Sequence, residues 1–208
     1  REVVACVDQL MVQALGLDAL LRELCQRWAL ASRGHFLSNA GRFVRRGTKA
    51  ADFRRWDELL RDAPYGPRTV VWAKIKLPQR AVEKTVRSYG QDPSYLVDLC
   101  RQTMVFLTPA DLCACLRAIV ADPDVQIVRI KNRLDPDPDG GRAGPGDTAG
   151  ATGYRDLALN LRVRSELARE RRADWHVCEV RLMLIDFARL KRDEGHARYV
   201  QWRNSRGE

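Results

Sequence analysis

No CxxC pair occurs among the six cysteines of this 208-residue chain, which stand at positions 6, 25, 100, 113, 115 and 178. That argues against a zinc site. Several of them lie among apolar neighbours, as in Leu99-Cys100 and Leu112-Cys113-Ala114-Cys115, where an unpaired thiol behaves as a small buried hydrophobe; a reducing compartment, cytoplasmic or similar, fits this usage. No apolar run approaches the ~20 residues that span a bilayer, and no basic-then-apolar leader opens the chain, so a soluble protein without membrane association is expected. A long Lys/Arg block is also missing, which argues against a disordered tail for nucleic acid. Arg rather than Met at position 1 suggests a processed product or part of a longer chain, with targeting signals outside this segment.

What is present is an ordinary globular mixture, 45% hydrophobic and 30% charged, long enough for one sizeable core. The formal net charge of +9, from 36 Lys and Arg against 27 Asp and Glu, makes an anionic partner the first to consider: nucleotide, nucleic acid or lipid.

Apolar residues recur at helical spacing over residues 2–31, with Leu17, Leu20, Leu21, Leu24 and Trp28 in one stripe that Gly16 interrupts, so one kinked helix or two is expected. A polar, basic stretch covers 32–49, and 51–61 again reads as helix until Pro64, Gly66 and Pro67. The period then changes. Residues 69–76 are β-branched, aromatic and alternating, which predicts a strand. Further strands are expected over 96–106, 125–134, 154–163 and 176–184, with helices over 78–88, 109–121 and 185–202. Residues 135–153, rich in Gly, Pro and Asp, read as a mobile surface loop at the entrance of a site. The pattern predicts an α+β fold, a mixed sheet of about five strands flanked by helices, with a helical segment at 1–66 and a strand-rich domain at 67–208.

Residues two apart on a strand share a face, so a site should gather its polar groups on one side. Lys74 and Lys76 do so, as do Arg129, Lys131 and Arg133, then Tyr154, Asp156, Asn160 and Arg162, then Glu179 and Arg181. The opposite face of 157–163 is Leu157, Leu159, Leu161 and Val163, and that of 178–184 is Cys178, Val180, Leu182 and Leu184. Many cations with few acids on a half-buried sheet suit an anion held with a metal, although a solvated sheet face has the same pattern. In the last helix His196, Tyr199 and Arg203 share one side.

The stretch Lys74-Ile75-Lys76-Leu77-Pro78-Gln79-Arg80-Ala81-Val82-Glu83-Lys84 resembles the basic strand-to-helix signature of the RelA/SpoT alarmone synthetases. The order of later stations is similar too: Asp98-Leu99, then Gly153-Tyr154-Arg155-Asp156-Leu157, then Glu179-Val180, then His196 and Tyr199. The resemblance covers about residues 69–203. It implies a nucleotidyltransferase-like fold and a GTP/GDP diphosphokinase-type transferase that moves the pyrophosphate of ATP to the 3′ hydroxyl of GDP or GTP. Magnesium would be held by Asp98 and Glu179, with Glu179 also a candidate general base. Lys74, Lys76, Arg80 and Lys84 would take the triphosphate, and Tyr154 would stack on a purine. Lys131, Arg133, Asn160, Arg181 and His196 would face the acceptor. Such chemistry needs hard oxygen ligands for the metal and cations against the developing charge.

Departures fall on the acceptor side. Thr103 stands where the family carries an arginine, with Arg101 two residues earlier; Arg181 replaces a glutamine; Asp156 and Ala158 replace a serine and a histidine. The family's hydrolase-type His-Asp pair is not found. Two other readings stay open: the same donor chemistry on a tRNA 3′ end, and a silent nucleotide-sensing module. A general RNA-binding domain is disfavoured by the lack of recognised aromatic platforms.

Overall fold

The structure, a computed structural model, describes residues 2–39, 52–135 and 155–190. Its strands are β1 His35–Ser38, β2 Asp52–Arg55, β3 Arg101–Phe106, β4 Val125–Asn132, β5 Leu157–Val163 and β6 Val177–Leu184; its helices are α1 Glu2–Ser32, α2 Trp56–Arg61, α3 Pro78–Ser88, α4 Pro109–Val120, α5 Glu166–Glu170 and α6 Ile185–Leu190. The strands form one mixed sheet in the order β2-β1-β3-β6-β5-β4. Only the central β3 and β6 run parallel; every other pair is antiparallel. This is the α+β class, with six strands where about five were expected.

The core lies where the sheet's apolar stripes meet α1 and α4. Leu157, Leu159 and Leu161 of β5 and Cys178, Val180 and Leu182 of β6 are buried with Leu17, Leu21, Leu24 and Trp28 of α1 and Leu112 and Ile119 of α4. At roughly 1.5–3 kcal/mol for each large apolar side chain, this layer is the main source of stability. α1 is a single helix that runs through Gly16 without a break. By length and composition it is apolar enough to cross a bilayer, which corrects the expectation that no such run exists. Leu17, Leu21, Leu24 and Trp28 of its stripe are nonetheless packed into the core.

The turn from α1 to β1 depends on Gly34. A Cβ there would lie 2.8 Å from the Ala29 Cβ, and the Gly34 amide donates to the Ala29 carbonyl at 2.8 Å. Immediately afterwards β1 begins, in a stretch expected to be polar connector. β2 and α2 likewise share the stretch 51–61, read as helix alone. Four-residue strands are too short for alternation to stand out against a helical neighbour.

Residues 69–76 are a further correction. They do not form a regular strand: a 3-10 turn spans Gly66–Thr69, and Val70 makes a single bridge to Ser38. The chain instead threads between the ends of β1 and β3. Val71 N–H donates to the Leu37 carbonyl at 2.8 Å, Lys76 N–H donates to the Leu99 carbonyl at 3.1 Å, and between them the Gln102 side chain accepts from Ala73 N–H at 3.1 Å. A side-chain amide does the work of a neighbouring strand.

β4 carries a β-bulge between Ile127 and Arg129. Val125 and Ile127 pair with Val163 and Leu161, on the core face, whereas Arg129 and Lys131 pair with Asn160 and Ala158, on the other. Strict alternation over 125–133 would put Val125, Ile127, Arg129, Lys131 and Arg133 on one face; they lie on two, because the extra residue, Val128, reverses the alternation. The cations Arg129, Lys131 and Arg133 keep their common side.

Candidate functional site

Three residues before β3 the Asp98 carboxylate is buried, 7% exposed, and surrounded by cations. Its Oδ2 accepts from Lys76 Nζ at 2.5 Å and from Lys84 Nζ at 3.2 Å, and lies 3.8 Å from a guanidinium nitrogen of Arg101. The first lysine arrives on the irregular segment before α3, whose Pro78 sits in the first turn; the second lies two turns along α3, pointing back at the same acid. Burial alone would raise the Asp98 pKa, but the charges of Lys76 and Lys84 outweigh it and hold the group down at about 2. Lys76 is brought down to about 8, first by burial, which the Asp98 charge offsets only in part, with Lys84 adding repulsion. Lys84 is also penalised by burial, yet Asp98 and Tyr89 raise its pKa.

The sheet register extends this centre sideways. Arg101 of β3 faces Glu179 of β6, Glu179 faces Asn160 of β5, and Asn160 faces Arg129 of β4, a row across four strands. The next row is Thr103, Arg181, Ala158 and Lys131. Glu179 Oε2 accepts from Arg181 Nε at 2.7 Å, and the Glu179 amide donates to the Cys100 carbonyl at 3.0 Å. Asp156, fully buried just before β5, accepts from an Arg133 guanidinium nitrogen at 2.6 Å and lies 3.9 Å from Arg181 Nε. Three acids thus face five bases, Lys76, Lys84, Arg101, Arg133 and Arg181, an excess of cation suited to a polyanion.

Among the described residues, four buried polar atoms in this centre have no hydrogen-bond partner: Asp98 Oδ1, Asp156 Oδ2, Asn160 Nδ2 and Arg133 Nε. Buried polar atoms are seldom left so. An unpartnered carboxylate oxygen is a hard donor of the kind magnesium takes, so the residues present fit that ion. Among the described residues there is no group of three or more His, Cys, Asp or Glu that could hold a metal, so any such ion at Asp98 would draw on ligand oxygens as well.

On the β1 side of the same face lies a groove of about 250 Å³. Phe36, Phe53, Trp72, Val105 and Met183 line it, with Thr103 and Gln102 at its polar edge. The ring centroids of Phe36 and Trp72 are 4.9 Å apart.

The expected site residues divide accordingly. Asp98, Lys76 and Lys84 touch one another, and Glu179, Asn160 and Arg181 adjoin them in the sheet. Lys131 lies one row along. Lys74 is exposed. Arg80 is exposed and paired with Glu83 at 2.9 Å on the surface of α3. Arg133 is bound to Asp156 through both its guanidinium and its backbone amide, which donates to the Asp156 carbonyl at 2.8 Å. Tyr154 and His196, with Tyr199 and Arg203, lie outside the described residues, as does the stretch 136–153. Gln102 was missed, and nothing local marks it, since its partner Ala73 is 29 residues away. Asp156 did carry a signal: an acid within the polar stripe of β5.

The fold and site define an α+β domain whose sheet presents a cation-rich face around the acids Asp98, Asp156 and Glu179. No family model matches the chain, and no curated protein matches its sequence. Similar solved structures include the type VI effector Tas1 in complex with its immunity protein, at 15% identity and a TM-score of 0.47 over 85% of this chain and 60% of that one. The small alarmone synthetase 1 of Bacillus subtilis bound to its product pppGpp is similar at 13% identity and a TM-score of 0.46, over 62% of this chain and 61% of that one. The same synthetase without that product scores 0.45 at 13% identity, over 62% of this chain and 60% of that one. This chain spans about six tenths of the length of these structures.

Proposed function

We propose that the chain is an ATP-dependent pyrophosphokinase, transferring the β,γ-pyrophosphoryl group of ATP to the 3′ hydroxyl of a guanine nucleotide. The observation that carries the reading is Asp98: a buried carboxylate with one oxygen unpartnered and the other held by two lysines, beside Glu179 across Arg101. Such a centre suits a polyphosphate with its cation. Lys76, Lys84 and Arg101 neutralise the phosphate oxygens, and the excess of base persists when charge develops on the transferred group. Lys74 and Arg80 stand at the rim, where the triphosphate enters. Magnesium, when bound to Asp98 and Glu179, supplies charge neutralisation on the phosphates.

In the transfer itself, the acceptor 3′ oxygen forms a bond to the β-phosphorus of ATP, and the bond from that phosphorus to the α,β-bridging oxygen breaks, releasing AMP. Glu179 takes the hydroxyl proton, and Arg181, bound to its Oε2, fixes the carboxylate's orientation. The apolar groove beside Thr103 offers a wall for the uncharged part of a nucleotide. Tyr154, Lys131, Arg133, Asn160 and His196 are assigned to the acceptor side on the motif alone.

The test offers γ-labelled ATP with GDP, GTP or deacylated tRNA and separates the products. Label should appear on GDP or GTP, and Glu179→Gln and Asp98→Asn should each lower turnover by two orders of magnitude or more. Label on tRNA alone reassigns the acceptor. Nucleotide binding with no transfer to any acceptor overturns the enzyme reading in favour of a sensor.

A further inference from the structure

We propose that the polar sheet face continues beyond Asn160 as a track for single-stranded nucleic acid, with Arg162 and Arg164 contacting phosphates and Trp175 stacking on a base. Arg162 lies two residues beyond Asn160 on the same face of β5, opposite Gln126 and Val177. Arg164 follows it: its amide donates to the Asp124 carbonyl and its guanidinium to Gln126 Oε1 at 2.8 Å. Trp175 stands two residues before β6 and is 68% exposed, the highest exposure among the tryptophans of the described residues. The Arg162 guanidinium lies over its ring, 4.7 Å from the centroid. One face of the indole is thereby covered and the side chain held in place.

Several arginines elsewhere on the surface are paired with acids. Arg27, Arg55, Arg61 and Arg87 are each matched by a carboxylate. Among the described residues neither Arg162 nor Arg164 has a carboxylate within ion-pair distance, and the Nε of each is buried without a hydrogen-bond partner. Arg129, exposed in the row that contains Glu179, joins this pair to the site. Unmatched guanidinium groups beside a solvated indole are the two elements that bind single strands, whose phosphates and base faces are both accessible; in a duplex the base faces are hidden. An acidic peptide would satisfy the arginines but leave the indole unused.

The test measures anisotropy of labelled 12-nucleotide RNA and DNA single strands and of a blunt RNA duplex, titrated with the full chain between 50 and 200 mM salt. Single strands should bind more tightly than the duplex, and the RNA and DNA arms decide which sugar is preferred. Trp175→Ala should weaken single-strand binding roughly 10-fold with Trp175→Phe largely restoring it, and the double variant Arg162→Gln/Arg164→Gln should reduce the slope of log K against log salt by about 1.4. Circular dichroism establishes that each variant is folded. Equal binding of duplex and single strand, variants that bind as the parent does, or displacement by polyglutamate as effective as by unlabelled RNA would each overturn the proposal. The pyrophosphoryl-transfer reading stands or falls separately, because the same variants should transfer to free GDP at the parent's rate.

Discussion

Lys76 is short of countercharge: one carboxylate is shared among Lys76, Lys84 and Arg101, so burial can bring its pKa to about 8. A bound polyphosphate supplies the missing anion and favours the ammonium. Affinity for inorganic tripolyphosphate should therefore be high below pH 8 and fall as pH rises through that value. A fluorescence or calorimetric titration from pH 6.5 to 9.5 checks this, and Lys76→Arg, which stays charged, should flatten the decline. His176 shows the opposite economy. It is 2% exposed, neither ring nitrogen has a hydrogen-bond partner among the described residues, and burial holds its pKa at about 4 against an ordinary 6.5. The unfolded chain therefore binds the extra proton between those values, and stability must fall as pH drops from 6.5 to 4, by about 3 kcal/mol at the lower end. Urea midpoints over that interval should show the loss, and His176→Phe should remove most of the slope.

Gln102 decides how the segment before α3 is held. It is 2% exposed, it pairs with the Ala73 backbone, and its Nε2 reaches Asp18 Oδ1 of α1 at 3.2 Å. Gln102→Ala leaves a part-buried amide and a carboxylate oxygen without that partner, at a cost of about 1 kcal/mol. Faster hydrogen exchange at the Ala73 amide, together with a lower urea midpoint, would be the measured result; unchanged exchange would show that the backbone holds itself. The same contact explains what the sequence could not reveal. Alternation located the extended segment and Lys76 on it, but whether it joins a ladder depends on a side chain 29 residues away. α3, α4 and the core face of β5 and β6 were legible because propensity, proline position and period agreed. β1 and β2 were not, being four residues each, and the bulge at Val128 was not, because an inserted residue preserves every local preference while exchanging the faces. In the site, the motif singled out Asp98 as a metal ligand and Lys76 and Lys84 as triphosphate ligands but not their direct pairing, and the commitment of Arg133 to Asp156 depends on how the two strands abut.

Within a chain of net charge +9, five bases meet three acids at the centre, which leaves a local excess of cation. A fold that carries such an excess without its ligand is less stable than the same fold with it, and the difference is measurable as linkage. A polyphosphate at 100 times its dissociation constant adds about 2.7 kcal/mol. For a chain of this length that is a rise in melting temperature on the order of 5–10 °C. Sodium chloride at matched ionic strength should not reproduce it, because screening weakens repulsion without occupying the site. Asp98→Asn separates the two contributions. It removes the one carboxylate that the cations share, so the free variant should melt lower than the parent. Metal-free tripolyphosphate should then stabilise it at least as much as it does the parent, since the ligand now meets unpaired lysines. The additional rise that magnesium gives the parent should vanish, because the oxygen left at that position is a weaker ligand without charge. A magnesium increment that survived in Asp98→Asn would mean that the ion binds elsewhere and that Asp98 serves only to hold the two lysines.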